Sequence, residues 1–202
     1  LQSIQVPNNL DFYTPQLLLK ELELYVNWYL PFAANRFLHN EEKSEFFAIW
    51  QAILSKLPDI SPCIVLRDYH GENMMYIGNR EGIQSIGLLD FQDAIIGSPA
   101  YDLVSVLEDA RMEISHSLSN ELLEYYLSHT PISRQDLILS YHILGAQRNS
   151  RIVGIFARKA QRDNQPTYLK YIPWVLQLLK NDLSIPLMQP LKIWIEKLVY
   201  FK

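Results

Sequence analysis

The amino-acid sequence predicts an α+β fold that is mostly helical, with a small β insert in the middle of the chain. Apolar residues recur at helical spacing before position 58 and again after position 100. Between these regions, three short apolar runs at 63–66, 74–77 and 86–89 are separated by polar turns rich in Gly and Asn, which is typical of strands. Because polar residues are densest in this insert, we expect it to carry the chemistry.

The helical regions divide into elements with recognisable ends. Thr14, followed by proline, suits an N-cap, and the apolar face of this first helix is expected to be interrupted at Pro31. A second helix is predicted from apolar residues at helical spacing within 46–57. Ser133 and Asp136 have the spacing of a capping box. Later helices are predicted near 100–112, 119–129, 133–159, 167–180 and 186–200.

Length and charge place the chain among ordinary globular proteins. It has 202 residues, of which 49% are hydrophobic and 20% charged, enough to bury one sizeable core. The net charge of −4 gives no chain-wide attraction to nucleic acid or anionic membranes, so we expect neither as a partner. The single cysteine, Cys63, cannot form an internal disulfide. There is no signal-like start and no apolar run near the roughly 18 residues of a membrane span, so we expect a cytoplasmic protein.

Two polar segments follow predicted strands. In the segment 66–73, Asp68 precedes Asn73 by five residues, and Asp90 stands at the end of the third predicted strand. An Asp and an Asn at this spacing also occur as plain turn residues. Phosphoryl transfer, however, needs an oriented acceptor hydroxyl and neutralised phosphate charge, usually with Mg²⁺, and carboxylate and amide oxygens suit that ion. We therefore expect Asp68 to accept the hydroxyl proton and Asn73 and Asp90 to bind Mg²⁺.

These segments resemble the kinase catalytic loop H-R-D-x-x-x-x-N and the metal motif D-F-G. Leu66 stands where that loop has His, and Gln92 stands where D-F-G has Gly. Both departures point to the aminoglycoside phosphotransferase family, whose loop looks like H-G-D-x-H-x-x-N, with His70 at its second His. The block 97–103 is similar to that family's G-D-P-A-Y-D-L, with Ser98 in place of Asp.

The resemblance narrows, through residues 66–111, 145–149 and 154–158, to bacterial kinases that phosphorylate the anomeric hydroxyl of N-acetylmuramate and N-acetylglucosamine. It implies a protein-kinase-like C-terminal lobe over residues 1–202 that uses ATP and Mg²⁺ on a small-molecule substrate. A Gly-rich phosphate loop, a strand lysine and a five-stranded sheet are not found in this sequence. We therefore expect the ATP-clasping N-terminal lobe of the same protein to precede this segment, which should be inactive alone.

Five further residues receive supporting or substrate roles. Asp102 resembles the residue that holds the catalytic loop through backbone hydrogen bonds. Asp93 either helps the metal site or fixes the following turn. His70 either locks the loop, the interpretation we favour, or contacts substrate. Arg148 and Arg151 lie in a locally basic helical stretch, where a solvated face or structural pairing competes with contact to a sugar carboxylate or phosphate.

Two other functions fit the same residues. Transfer to an aminoglycoside or another small alcohol would favour a strongly acidic acceptor site, whereas the helices after position 100 carry both acidic and basic residues. A non-catalytic binding or regulatory module would keep the fold without transferring phosphate. The intact set of Asp68, Asn73 and Asp90 argues against that second alternative, so we expect a small-molecule kinase.

Overall fold

The computed structural model describes residues 4–199, which form two compact units. The first unit contains the described residues up to Tyr13 together with Asp59–Leu137, and the second contains Thr14–Pro58 and the described chain from Ile138 onward. Helices dominate and the strands are short, so the predicted α+β, mostly α class is confirmed. None of the helices within the described residues is long and apolar enough to cross a membrane.

Eight α-helices occur among residues 4–199. They are α1 (Pro15–Glu21), α2 (Leu30–Ala34), α3 (Asn40–Leu54), α4 (Ala100–Leu107), α5 (His116–Ser128), α6 (Arg134–Gln161), α7 (Ile172–Asp182) and α8 (Gln189–Leu198). A π-helical segment, Tyr25–Tyr29, lies between α1 and α2, and 3₁₀ turns at Pro166–Tyr171 and Pro186–Met188 precede α7 and α8. Each predicted helical region therefore contains a helix, although several bounds differ, and position 200 of the last one lies outside the described residues.

The ends of the helices follow local chemistry, with one correction. Thr14 caps α1 as predicted, its Oγ1 accepting a hydrogen bond from Leu17 N over 3.3 Å. The prediction that Pro31 interrupts the first helix is wrong. Pro31 lies in the first turn of α2, where a proline N–H is not needed, and the chain stays helical to Ala34. The helix ends at Asn35, which has a left-handed φ of 53°.

Two predicted boundaries after position 100 also move. The predicted helix 100–112 ends at Leu107, because Glu108 already has φ −120° and ψ 52°. The predicted helix 119–129 begins earlier, at His116, because the Ser115 side chain accepts a hydrogen bond from Leu118 N. At the start of α6, Ser133 Oγ accepts from Asp136 N over 3.1 Å, and the Asp136 carboxylate accepts from the same hydroxyl.

Among the described residues of the first unit, four strands of three residues each form two small antiparallel sheets. They are β1 (Cys63–Val65), β2 (Met74–Tyr76), β3 (Ile86–Leu88) and β4 (Ile95–Gly97). β1 pairs with β4, and β2 pairs with β3. The three predicted strands are confirmed, each one residue shorter. β4 is missing from the sequence analysis because two isoleucines and a glycine carry no alternation, and its partner lies about thirty residues earlier.

The β1–β4 pair forms the base on which the following loop stands. Ile96 N donates to Asp11 O over 2.8 Å and Tyr13 N donates to Ile96 O over 2.7 Å, so the chain around Phe12 extends the sheet. Val65, Ile95 and Ile96 are buried, which fixes the end of β1 in place. The loop 66–73 therefore leaves a rigid strand.

The second unit is built around aromatic side chains. The ring of Phe46 lies 6.0 Å from that of Tyr25 and 5.0 Å from that of Trp194, between centroids. Trp50 is fully buried, and Trp194 is buried while donating from Nε1 to Glu45 Oε2 over 3.0 Å. Burial of each such ring stabilises the fold by about 1.5–3 kcal/mol. Both tryptophans therefore belong to the core of this unit.

Candidate active site

The loop 66–73 connects β1 to β2 and is held at its start by α4. The Asp102 carboxylate accepts hydrogen bonds from Leu66 N over 2.8 Å and from Arg67 N over 3.0 Å. Ser105, one helical turn further along α4 and fully buried, donates from its Oγ to Arg67 O over 2.8 Å. Both backbone polar groups of Arg67 are thus engaged by one helix face.

Arg67 needs this support because its backbone is strained. Its φ of 68° lies in the left-handed region, which a side chain other than glycine occupies at a cost of roughly 1–3 kcal/mol. Its guanidinium lies 5.2 Å from the ring centroid of Tyr13, a cation–π contact, and Tyr13 Oη donates to Tyr101 Oη over 3.3 Å. Strain held in place by surrounding contacts is typical of a functional loop.

The Asp102 carboxylate also sets the electrostatics beneath the loop. Burial raises the pKa of the Cys63 thiol to about 11, and the negative charge of Asp102 adds to the shift. The same two causes, in the same order, raise the pKa of the half-buried Tyr69. Both groups therefore stay protonated and uncharged at neutral pH, so Asp102 supplies the negative charge at the base of the loop.

Asp68 and Asn73 are joined directly within the loop. The Asn73 side chain donates from Nδ2 to the carbonyl oxygen of Asp68 over 2.9 Å, and His70 N donates to the same oxygen over 3.2 Å. Asn73 ends the 3₁₀ turn Gly71–Asn73, just before β2. Because the amide nitrogen of Asn73 is used inside the loop, its amide oxygen is the atom left to bind a cation.

His70 lies in the interior of the same loop. Its side chain is buried, with Nε2 3.4 Å from Asn73 Nδ2 and 3.5 Å from Arg111 Nη1. Both neighbours are donors, so Nε2 acts as the acceptor and the ring proton belongs on Nδ1. These contacts favour the loop-locking interpretation of His70, which remains a prediction.

Asp90 is brought beside Asn73 by the pairing of β2 with β3. Met74 pairs with Leu88, and Leu89 N donates to Asn73 O over 2.9 Å, so the next residue, Asp90, follows directly. Asp90 is exposed, has a left-handed φ of 58° and accepts from Gln92 Nε2 at Oδ1 over 3.0 Å. This second strained residue presents its carboxylate at the edge of the hairpin.

Asp93 lies in the turn that follows. Ala94 N donates to Phe91 O over 3.1 Å, which closes a turn through Gln92 and Asp93, and the Asp93 side chain is exposed. The position fits the turn interpretation of Asp93, and its contribution to a metal site stays a prediction.

The residues of this hairpin fit a hard divalent cation. Asn73 offers an amide oxygen and Asp90 an exposed carboxylate, the ligand types that Mg²⁺ prefers. Within residues 4–199, no group of three or more His, Cys, Asp or Glu side chains is placed to hold a metal ion. A cation here would therefore need phosphate oxygens and water beside Asn73 and Asp90, which is how Mg²⁺ usually binds with nucleotides.

Arg148 and Arg151 belong to the second unit, on α6. Arg148 is buried, and Arg151 Nε lies 3.5 Å from Glu21 Oε2. Of the two alternatives, a solvated face does not fit the buried Arg148, and structural pairing fits Arg151, because α6 packs these positions inward. Their contact with a substrate remains a prediction.

The motif 145–149 has packing roles in the second unit. A Cβ on Gly145 would lie 2.6 Å from Asp182 Oδ2, so the glycine makes room for that fully buried carboxylate. Asn149 Nδ2 donates to Asp182 Oδ2 over 3.0 Å, and Gln147 Nε2 donates to Leu18 O over 3.0 Å. Buried polar groups with partners of this kind fix how helices pack.

The sequence analysis misses three residues that contact the loop. Ser105 contacts Arg67, Asp109 accepts from Gly71 N over 3.2 Å, and Arg111 contacts both His70 and Glu72. One signal could have found Ser105. Asp102 and Ser105 are spaced three residues apart, which places two polar side chains on one face of an otherwise apolar helix. Asp109 lies beyond the end of α4 at Leu107, so this helical spacing does not locate it.

Comparison with known proteins gives a consistent result. The sequence model of the phosphotransferase enzyme family matches residues 1–136. The chain is 38% identical over 157 residues to an N-acetylmuramate/N-acetylglucosamine kinase of Caulobacter vibrioides, covering 77% of this chain and 43% of that protein. It is 30% identical over 194 residues to a kinase of the same name from Pseudomonas aeruginosa, covering 91% of this chain and 55% of that protein.

A third relative agrees with these two. It is an N-acetylmuramate/N-acetylglucosamine kinase of Neisseria meningitidis, 28% identical over 188 residues, with 90% of this chain and 55% of that protein covered. The chain thus spans about half the length of the relatives it matches.

Proposed function

Because this chain belongs to the phosphotransferase enzyme family, we propose that its protein transfers the γ-phosphoryl group of ATP to a hydroxyl of N-acetylmuramate or N-acetylglucosamine. One observation carries the proposal: Asn73 is hydrogen-bonded to Asp68 inside the loop, and the β2–β3 register sets Asp90 next to Asn73. These are the three oxygen-bearing side chains that the reaction needs. The sugar class comes from the names of the relatives.

Asp68 is assigned to the acceptor side of the reaction. Its carboxylate orients the sugar hydroxyl and takes the proton from it as the hydroxyl oxygen bonds to the γ-phosphorus. The bond between that phosphorus and the β,γ-bridging oxygen breaks, and ADP leaves with the electron pair. The rigid backbone around Arg67 keeps the carboxylate in position, because both of its polar groups are tied to α4.

Asn73 and Asp90 are assigned to Mg²⁺, which would neutralise charge on the ATP phosphates when bound. Asp102 is assigned the role of holding the loop that carries Asp68, because its carboxylate accepts hydrogen bonds from Leu66 N and Arg67 N. His70 locks the same loop and Asp93 fixes the turn after Asp90. Arg148 and Arg151 are assigned to the packing of α6.

A further lobe of the same protein is proposed to hold the nucleotide. The relatives are about twice as long as the matched region. The β2–β3 hairpin also exposes large apolar side chains beside Asp90, namely Met75, Tyr76, Ile83, Ile86, Leu89 and Phe91. Exposed apolar patches of this kind mark binding surfaces. The protein would then act in the cytoplasm, where ATP is available, and the 202-residue segment alone would not transfer phosphate.

The test is ADP release by the complete gene product with ATP, Mg²⁺ and a panel of N-acetylmuramate, N-acetylglucosamine and aminoglycosides. Turnover of the acetylated amino sugars, lost in Asp68→Asn, would support the proposal. Turnover of aminoglycosides alone would show that the acceptor is an aminoglycoside and not an acetylated amino sugar. Binding of nucleotide and Mg²⁺ without transfer to any acceptor would favour a regulatory module and reject the kinase proposal.

A further inference from the structure

We propose that Asp109 is a positioning residue that sets the metal-binding turn of the active-site loop, an inference that rests on the proposed function. Asp109 follows α4 and is only 2% exposed. Its two carboxylate oxygens have different partners: Oδ2 accepts from Gly71 N over 3.2 Å, and Oδ1 accepts from Arg111 N over 2.9 Å. A buried carboxylate held by backbone N–H groups is a fixed anchor.

The turn contacted by Asp109 is the one that carries Asn73. Gly71 is the first residue of the 3₁₀ turn Gly71–Asn73, and a shift of its N–H moves the whole turn. Arg111 contacts the same turn through its side chain, with Nη1 2.9 Å from Glu72 Oε2 and 3.5 Å from His70 Nε2. Positions 70, 71 and 72 are therefore each contacted by Asp109 or by Arg111.

This anchoring is separate from that of Asp102. Asp102 holds Leu66 and Arg67, the residues that enter the loop before Asp68, whereas Asp109 holds the exit of the loop before Asn73. The two carboxylates lie seven residues apart in sequence, near the two ends of α4. The two carboxylates therefore have different roles. Asp102 supports Asp68, which is assigned to the acceptor proton, and Asp109 supports Asn73, which is assigned to Mg²⁺.

Asp109→Asn tests the assignment with almost no change in volume. The amide can accept at only one oxygen, and its NH₂ group must face an N–H donor, either of Gly71 or of Arg111. We expect the Mg²⁺ concentration for half-maximal turnover of the full-length protein to rise about 10-fold or more, the effect typical of residues that orient metal ligands. The KM for the sugar should change less than the Mg²⁺ requirement, because Asp102 still holds the entry of the loop at Leu66 and Arg67.

A control separates positioning from loss of stability. Val104→Ala removes two buried methyl groups from α4, the helix that precedes Asp109. It should therefore lower the melting temperature without altering the Mg²⁺ requirement. Arg111→Ala probes the turn through a partly exposed side chain and should also raise the Mg²⁺ requirement even if Asp109→Asn does not fold. An unchanged Mg²⁺ requirement in Arg111→Ala and in any folded Asp109→Asn protein would overturn the proposal.

Binding of a fluorescent ATP analogue, titrated with Mg²⁺ in the absence of sugar, tests the role of Asp109 independently of which acceptor the protein phosphorylates. If the wild-type protein binds nucleotide in a Mg²⁺-dependent way but phosphorylates no sugar, the proposed function fails. The comparison of Asp109→Asn with wild type then still decides the positioning role. If the wild-type protein shows no Mg²⁺-dependent nucleotide binding, both proposals are rejected.

Discussion

The Asn73 side chain donates a hydrogen bond to the backbone carbonyl of Asp68 over 2.9 Å, so the residue assigned to the metal also braces the residue assigned to the acceptor hydroxyl. This coupling predicts different outcomes for two Asn73 variants. Asn73→Asp keeps an oxygen for the cation but loses the donor to Asp68. Asn73→Ala loses both.

We expect Asn73→Asp to lower kcat while keeping Mg²⁺ dependence, and Asn73→Ala to lower kcat and raise the Mg²⁺ requirement together. Steady-state kinetics of ADP release at a series of Mg²⁺ concentrations distinguishes them. Asp68→Asn is the reference, because loss of a general base typically lowers kcat about 10²–10⁴-fold. Full activity of Asn73→Ala would show that Asn73 has no role in the active site.

The two hydrogen bonds from Leu66 N and Arg67 N to Asp102 predict a loss of both stability and turnover in Asp102→Asn. The amide nitrogen must face one of these N–H groups, so one bond to a charged acceptor is lost, which costs about 1.5–3 kcal/mol. Thermal unfolding measures the first effect and kcat the second. A variant with normal kcat at a temperature well below its melting point would show that the loop does not depend on Asp102.

Local patterns in the sequence were enough to locate the loop residues, and the family resemblance anticipated the backbone hydrogen bonds of Asp102. The contacts of Asp109 were not anticipated. Asp68, Asn73 and Asp90 could be singled out because short strands and their flanking polar residues are local features. The partner of Gly71 is Asp109, 38 residues away, and the pairing of β1 with β4 closes a loop of similar length. No pattern within a short window encodes such pairings, since they depend on how α4 packs against the loop.

A glycine in the second unit illustrates the same limit. Gly154 reads in the sequence as a weak helix former inside α6, yet a Cβ there would lie 2.4 Å from the carbonyl carbon of Leu24 and 2.6 Å from Tyr25 N. These are backbone atoms, which cannot rotate away. The close approach lies at the start of the π-helical segment, a feature that apolar periodicity does not reveal.

Gly154→Ala is therefore expected to destabilise the protein by about 2 kcal/mol or more, because α6 and the segment at Leu24 must separate. Denaturant unfolding followed by circular dichroism measures the change. Gly78→Ala is the matched control, since its Cβ would meet nothing closer than 3.6 Å. Equal stability of the two variants would mean that the helices are not in close backbone contact at Gly154.

The carboxyl of Glu42 is expected to have a pKa far below the usual range. Hydrogen bonds from the Arg36 guanidinium, and then from His39 N, lower the pKa of Glu42 to about 2. NMR titration should show this carboxyl ionised down to about pH 2. Arg36→Gln should move its pKa back toward the ordinary value near 4.5, and no movement would exclude the ion pair in solution.

The sign of the accompanying stability effect follows from the lowered pKa of Glu42. The folded protein holds this proton less tightly than the unfolded chain, so the contribution is present above the ordinary pKa and is lost as pH falls toward about 2. Acid unfolding of wild type and Arg36→Gln, compared between pH 5 and pH 2, should therefore converge at the acidic end. Curves that diverge toward pH 2 would contradict the assignment.

For Cys63 we expect the free energy of unfolding to fall, rather than rise, as the pH increases in the alkaline range. Burial, with Asp102 adding to it, raises the pKa of the thiol from its usual 9.0 to about 11 in the folded protein. Between these values the folded state keeps a proton that the unfolded chain has lost, so the free energy of unfolding falls as pH rises from about 9 to about 11. The decrease due to this one group should reach up to about 2 kcal/mol.

Tyrosines of the unfolded chain also lose protons near pH ~10. The informative quantity is therefore the difference between wild type and Cys63→Ala, measured by denaturant unfolding at several alkaline pH values. The difference should shrink steadily across this window, and a constant difference would show that the folded protein does not hold Cys63 as a neutral thiol.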